Sequence, residues 1–264
     1  MVRRQKKGEN RMGAKADKVM DVCLRAGEIM LTYGAETYRV EETLERMARA
    51  AGFTNVHCFT TTTGIFLSFE ERKGRGDLMQ MVRVDDRMQD LNKVTEVNQV
   101  SREFTSGMLT VQEAERRLEE IYEAKIQYPI WVIHIAAGVA GSGFSYLFGG
   151  GLFDLIPAFF AAFISSFALV EIEGYLKVRF ASELAAAFIG SASAIAFVML
   201  GLGNNIDQII IGSLMPLVPG VPLTNAVRDL LSGDLLAGMS RGVEALLTSL
   251  SIASGVALSI SIFL

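Results

Sequence analysis

The feature that most restricts how this chain can fold is the run from Pro129 to Leu264. In it, apolar segments of about twenty residues follow one another with few charges inside them. Five can be counted, at about 130–148, 152–170, 184–202, 208–227 and 245–264. Each is long enough to cross the hydrocarbon core of a bilayer as a helix. Within hydrocarbon every backbone amide and carbonyl needs an internal partner, so helices are the expected form. The spacing therefore predicts a membrane protein whose second half is an all-α bundle of about five transmembrane helices.

The chain averages, 50% hydrophobic and 20% charged over 264 residues with a mean hydropathy of +0.33, hide an asymmetry. Most Lys, Arg, Asp and Glu lie in residues 1–128. The expected layout is a disordered basic tail at 1–13, a cytoplasmic α+β domain at 14–128 and a transmembrane domain at 129–264. Met1–Arg11 is basic but lacks a following apolar signal core, so no cleaved export signal is expected. Connections 149–151 and 203–207 carry no Lys or Arg, whereas 171–183 contains Lys177 and Arg179 and 228–244 contains Arg228 and Arg241. That alternation fits a cytoplasmic N-terminus and an extracytoplasmic C-terminus, and a multi-pass protein of the cell inner (plasma) membrane is expected.

A formal net charge of −4, without a basic face interleaved with aromatics, argues against nucleic acid as a partner. Cys23 and Cys58 lack Cys-x-x-Cys spacing and have only His57 and His134 as histidine neighbours in composition. They read as free thiols in a reducing compartment, and neither a metal nor a cofactor is expected.

Within the first half, helical spacing predicts helices at about 14–33, 35–51, 87–105 and 111–128. Thr110 with Glu113 marks a capping box at the start of the last. Segments 55–63, 64–70 and 78–84 are rich in β-branched and aromatic residues, with Lys73–Gly76 as the turn between the last two. A small antiparallel sheet packed on helices follows. The last of these helices is expected to run straight to Pro129, joining the two domains.

Inside the apolar half, Gly212–Asp229 stands out, with Pro216, Pro219, Gly220 and Pro222 within seven residues. Each proline removes a backbone donor and clashes with the preceding turn, so the fourth span is expected to be interrupted. Broken helices in membranes are tolerated where protein or water surrounds them, and they often form substrate sites. A kink that only shapes packing is the plainer alternative. The substrate-binding candidates are Pro219, Gly220, Thr224, Asn225, Arg228 and Asp229. Arg228 suits a carboxylate, and Asp229 would balance it or carry a proton. Asp154, Glu171 and Asp207 are further candidates for proton coupling, although Asp154 and Asp207 also suit helix caps and Glu171 a solvated loop. His134, within the first span, suits a neutral hydrogen-bonded packing role. Glycine, alanine and serine crowd the first, third and fifth spans, which favours close helix packing.

Two stretches together carry a resemblance. Gly34-Ala35-Glu36-Thr37-Tyr38-Arg39-Val40-Glu41-Glu42, followed by Thr61-Thr62-Thr63-Gly64-Ile65, resembles the N-terminal signature of the threonine/serine exporter family. Pro216–Asp229 resembles that family's membrane signature. Another branch of the family includes a two-component inner-membrane succinate exporter. The resemblance implies a split form completed by a second small integral-membrane subunit, and Glu36, Arg39 and Glu41 belong to the soluble signature.

Three functions remain in view. The first is a subunit of a proton-coupled secondary exporter of small polar metabolites, threonine/serine or dicarboxylates such as succinate. Its partners would be the second subunit, the lipid bilayer and the small-molecule substrate, with room for a homo-oligomer. The chain contains no Gly-x-x-x-x-Gly-Lys-Ser/Thr loop, so ATP drive is not expected within it. The second is a membrane-tethered hydrolase using His57, Thr60–Thr63 and Glu41-Glu42. The chain has no His-Glu-x-x-His, and its threonine runs are ordinary strand formers, so an enzyme is not expected. The third is a regulatory or assembly subunit acting through the soluble domain.

Overall fold

The computed structural model describes residues 2–70, 77–85, 88–124 and 128–264, with side chains from Lys15 onward. Its helices are α1 (Val2–Thr32), α2 (Thr37–Ala50), α3 (Leu91–Thr105), α4 (Val111–Glu123), α5 (Ile130–Leu147), α6 (Leu155–Leu176), α7 (Arg179–Met199), α8 (Ile206–Leu214), α9 (Gly220–Ser232) and α10 (Leu235–Phe263). Strands β1 (Thr54–Thr61), β2 (Gly64–Glu70) and β3 (Asp77–Arg83) lie between α2 and α3. The chain divides into two units. One comprises Met1–Lys125 with Val221–Gly242, the other Ile126–Gly220 with Val243–Leu264.

In the first unit, α1 to α4 pack with the sheet around a core that includes Met20, Ile29, Met30, Leu44, Met47, Ile65, Leu67 and Phe69. Apolar positions three and four apart on α1 and α2 supply it. Strands β1, β2 and β3 form an antiparallel sheet in that order, with Phe59 opposite Phe66 and Phe66 opposite Met81. The Thr110–Glu113 capping box is present as the sequence predicts. Buried Lys93 is held by the Tyr33 hydroxyl and the Tyr122 carbonyl, each at 3.0 Å. Both cysteines are free, and burial pushes each thiol up to about 12.

Three boundaries differ from expectation. The basic segment read as a disordered tail is helical from Val2 onward, continuous with α1; it contains no proline, and Lys, Arg, Gln and Glu are good helix formers. Helix α4 ends at Glu123, where Ala124 turns extended, so it does not run straight to Pro129. Helix α10 starts at Leu235, ten residues before the expected span, because Leu235–Arg241 continues the helical pattern without a break. The predicted turn at 73–76 and the predicted helix start at Arg87 lie outside the described residues.

In the second unit, α5 to α8 and the later part of α10 pack through small residues. One cluster comprises Ala158, Ala161, Ala194, Ile195, Ile209 and Ile210. A second joins Ala168, Ala186 and Ala187 to Leu217 and Ile252. A Cβ added at Gly212 would lie 2.5 Å from the Gly141 carbonyl oxygen, so α5 and α8 cross with backbones nearly touching.

Among the described residues, four helices are long and apolar enough to cross a membrane, or up to five if the bent pair Ile206–Leu217 and Gly220–Ser232 is one span. The expected interruption is present. Helix α8 gives way to a 3-10 turn at Met215–Leu217, Val218 is extended, and α9 begins at Gly220 after a 62° bend. Pro216, Pro219 and Pro222 explain it, since each denies the helix a donor. With four to five candidate membrane helices and a small three-stranded sheet earlier in the chain among the described residues, the chain is a mostly helical, multi-pass membrane protein.

Candidate functional site

Helix α2 begins without a cap of its own. Gly34 takes the left-handed conformation, φ +97°, that a tight exit from α1 requires, and Glu36 at the N-cap position makes no side-chain bond to the first turn. The missing acceptor comes from Asp229, 192 residues later. Its Oδ1 accepts the Thr37 amide at 3.2 Å and the Thr37 hydroxyl at 2.8 Å. A carboxylate at a helix N-terminus is favoured by both the orphan amides and the helix dipole.

Around that contact the two signature stretches interlock within the first unit. Arg228 and Asp229 follow Asn225 by three and four residues, which puts both beside it on α9. The Asn225 side-chain amide donates to the Gly34 carbonyl at 3.0 Å, and Arg228 pairs with Glu36, which Arg39 also approaches at 3.6 Å. Arg241 donates to the Ala35 carbonyl at 2.8 Å and lies 3.4 Å from Asp229. The Thr37 hydroxyl also reaches Asp234 at 3.3 Å, and the Thr62 and Ser240 hydroxyls meet at 3.1 Å. Asp229 is fully buried, whereas the Arg228 side chain is 62% exposed and open to a solvent-borne anion.

Glu41, one turn after Thr37 on α2, accepts the Thr60 amide at 2.6 Å. Burial pushes its carboxyl up to about 7; the Thr60 hydrogen bond opposes this, and the charges of Asp234, Glu45 and Asp229 add to it. A group titrating there can change charge near neutral pH. Among the described residues, no group of three or more His, Cys, Asp or Glu is arranged to hold a metal ion.

The remaining candidates are placed as follows. Pro219 lies in the break and Gly220 opens α9 directly after it, and the Thr224 hydroxyl bonds back to the Val221 carbonyl at 3.0 Å on an exposed surface. In the second unit Asp154 is fully buried, and its two oxygens accept from the amides of Gly151, Asn204 and Asn205 and from the Asn205 side chain, at 2.7–3.1 Å. It thus caps the 3-10 turn Leu152–Asp154 that leads into α6, through the Gly151 amide, and also holds the connection entering α8. Glu171 and Asp207 are exposed, the latter in the first turn of α8. His134 is buried and bonded to the Ser166 hydroxyl at 3.0 Å, with Phe163 and Phe167 edge-on to its ring.

Thr37, Asp234, Ser240 and Arg241 complete the cluster but were not singled out as site residues from the sequence. Asp234 and Arg241 read there only as parts of a connection, and no local spacing ties either to α2. Glu183 was likewise read as loop. It is a buried carboxylate held by Arg179 at 3.0 Å and Thr248 at 3.2 Å.

Comparison with known proteins gives this arrangement its context. The chain is 26% identical over 249 residues to "Probable succinate transporter subunit YjjP" of Escherichia coli (strain K12), covering 93% of this chain and 94% of that protein. It is 26% identical over 255 residues to "Threonine/serine exporter" of Corynebacterium glutamicum, covering 92% of this chain and 51% of that one. Against "Probable threonine/serine exporter" of Mycobacterium tuberculosis (strain ATCC 25618 / H37Rv) the identity is 25%, over 92% of this chain and 46% of the other. The chain thus spans nearly the whole of the first relative and about half of the other two. No solved structure matches it. The family model described as "Putative threonine/serine exporter" matches residues 21–263, through both signature stretches and nearly all of both units, and the chain belongs to that family.

Proposed function

We propose that the chain is one subunit of a secondary exporter of small polar metabolites, either threonine and serine or dicarboxylates such as succinate. It works with a second small integral-membrane subunit and is driven by the proton gradient. The observation that carries this reading is coverage. Nearly all of the chain aligns with nearly all of a protein whose name makes it a transporter subunit, and the same residues align with about half of two proteins named as exporters. The first unit lies on the cytoplasmic side in this reading, following the Lys and Arg content of the connections.

The substrate meets the chain at the interrupted helix. Pro219, Gly220 and Thr224 lie at the break, and Asn225, Arg228 and Asp229 hold α9 to the Gly34–Thr37 turn. A substrate carboxylate competes with Glu36 for the exposed Arg228, which couples binding to the hold on α9. Of the acids considered for proton coupling, Asp154 is committed to four N–H donors, whereas Glu171 and Asp207 are exposed.

The test is efflux of labelled threonine, serine and succinate from vesicles holding this chain with and without the second subunit. The expected result is efflux of one substrate class only when both are present, abolished by collapsing the pH gradient. Efflux of none of them overturns the exporter reading; efflux indifferent to the gradient overturns proton coupling alone.

A further inference from the structure

Strand β3 forms one edge of the three-stranded sheet, paired with β2 without a register break from Glu70–Asp77 to Gly64–Arg83. The next residue, Val84, donates its amide to the Thr63 carbonyl at 2.9 Å. By the alternation of an antiparallel ladder, even-numbered residues of β3 direct their amides and carbonyls toward β2. Those of Asp77, Met79, Met81 and Arg83 then point off the edge. Met79 is 65% and Met81 58% exposed, and Phe59, two strands away on the same face, is 50% exposed. Edge strands are normally blunted by proline, lysine, a bulge or brevity, and this seven-residue strand has none of these.

Its sequence, Asp77-Leu78-Met79-Gln80-Met81-Val82-Arg83, is complementary to itself when reversed. Turned about Gln80, Asp77 faces Arg83, Leu78 faces Val82, Met79 faces Met81 and Gln80 faces itself. All seven residues are paired, both charges are matched, and all four outward-pointing residues meet outward-pointing partners. A shift by two residues loses two of the pairs and leaves both charges unmatched. The sheet as it stands also sets Asp77 opposite Glu70, a like-charge pair that a facing arginine relieves. Among the described residues Arg83 pairs with Asp85, at 2.7 Å with both side chains more than 70% exposed, and such pairs exchange at little cost.

From this we infer that β3 pairs antiparallel with β3 of a second copy of this chain, about a two-fold axis through Gln80, joining two three-stranded sheets into one of six strands. The inference does not depend on the exporter reading. An isologous contact of this kind is the commonest way a homodimer closes.

The test uses the full chain in mild detergent. Gln80 opposite Gln80 is a non-hydrogen-bonded pair, whose Cα atoms lie about 4.5 Å apart, within the reach of a disulfide. The variant Gln80→Cys is therefore expected to cross-link to a covalent dimer under mild oxidation, while the parent chain, with Cys23 buried and Cys58 half-buried, is not. In sedimentation, Asp77→Arg and Arg83→Asp are each expected to weaken dimerisation about tenfold, and the double variant to restore it. A monomer at every concentration, a Gln80→Cys chain that stays uncross-linked, or a double variant as weak as the single ones overturns the proposal.

Discussion

Asp229 shows how a residue can be conspicuous in a sequence while its partner is not. An acid directly after an arginine and a broken helix invites a binding role, and the structure places it as the acceptor for the first amide of α2, with Thr37 and Arg241 around it. Nothing local in residues 212–229 points to Thr37, because the pairing spans 192 positions. Glu41 was legible as part of a signature but not as a titrating group, since its shift comes from burial and from Asp234 and Asp229, which only folding brings near. The sign of its effect is definite. A carboxyl raised from an ordinary value of 4.5 to about 7 lets the folded unit bind more protons than the unfolded chain between those values. Its contribution is therefore fully present below about 4.5 and is lost as pH rises through 7. Thermal unfolding of the full chain in detergent is expected to fall over that window, and Glu41→Gln is expected to flatten this part of the profile. An unaltered profile in the variant would remove Glu41 as the cause.

At the scale of elements, periodicity and punctuation were dependable where the cause was local. The three strands, the Thr110–Glu113 box and the break among Pro216, Pro219 and Pro222 all stand where spacing and proline chemistry put them. The end of α4 and the start of α10 did not, because apolar spacing continues past a stop in one case and polar residues occupy helical positions in the other. Small residues announced close packing without saying which glycine sits at a crossing. Gly212 does, against Gly141, whereas an added Cβ at Gly220 meets nothing within 4 Å. Gly212→Ala is thus expected to cost roughly 1–3 kcal/mol through forced separation of α5 and α8. Gly220→Ala should leave stability within about 0.5 kcal/mol. Thermal denaturation in detergent compares the two, and equal losses would refute the assigned crossing.

For the whole molecule, the second signature stretch is shared between units. The residues through Gly220 belong to the apolar unit, and Val221–Gly242 belongs with the N-terminal residues. The Glu36–Arg228 pair is one of the contacts that join the two signatures, so exchanging its charges is a direct test. Glu36→Arg and Arg228→Glu are each expected to raise hydrogen exchange in α9 and lower efflux, and the double variant to recover the protection of α9 but not efflux, which needs the Arg228 guanidinium. Exchange that stays raised in the double variant would show that the pair does not hold α9. The sequence alone determined the elements that depend on near neighbours: which segments can cross a bilayer, where prolines interrupt a helix, which strands pair in order, and membership of the exporter family. Only tertiary structure decided that residues 221–242 close a polar cluster with α2. The physical reason is that helix periodicity and backbone chemistry act over a few residues. The orphan amide of Thr37 donates to any carboxylate that folding delivers, and no pattern within the chain names Asp229 in advance.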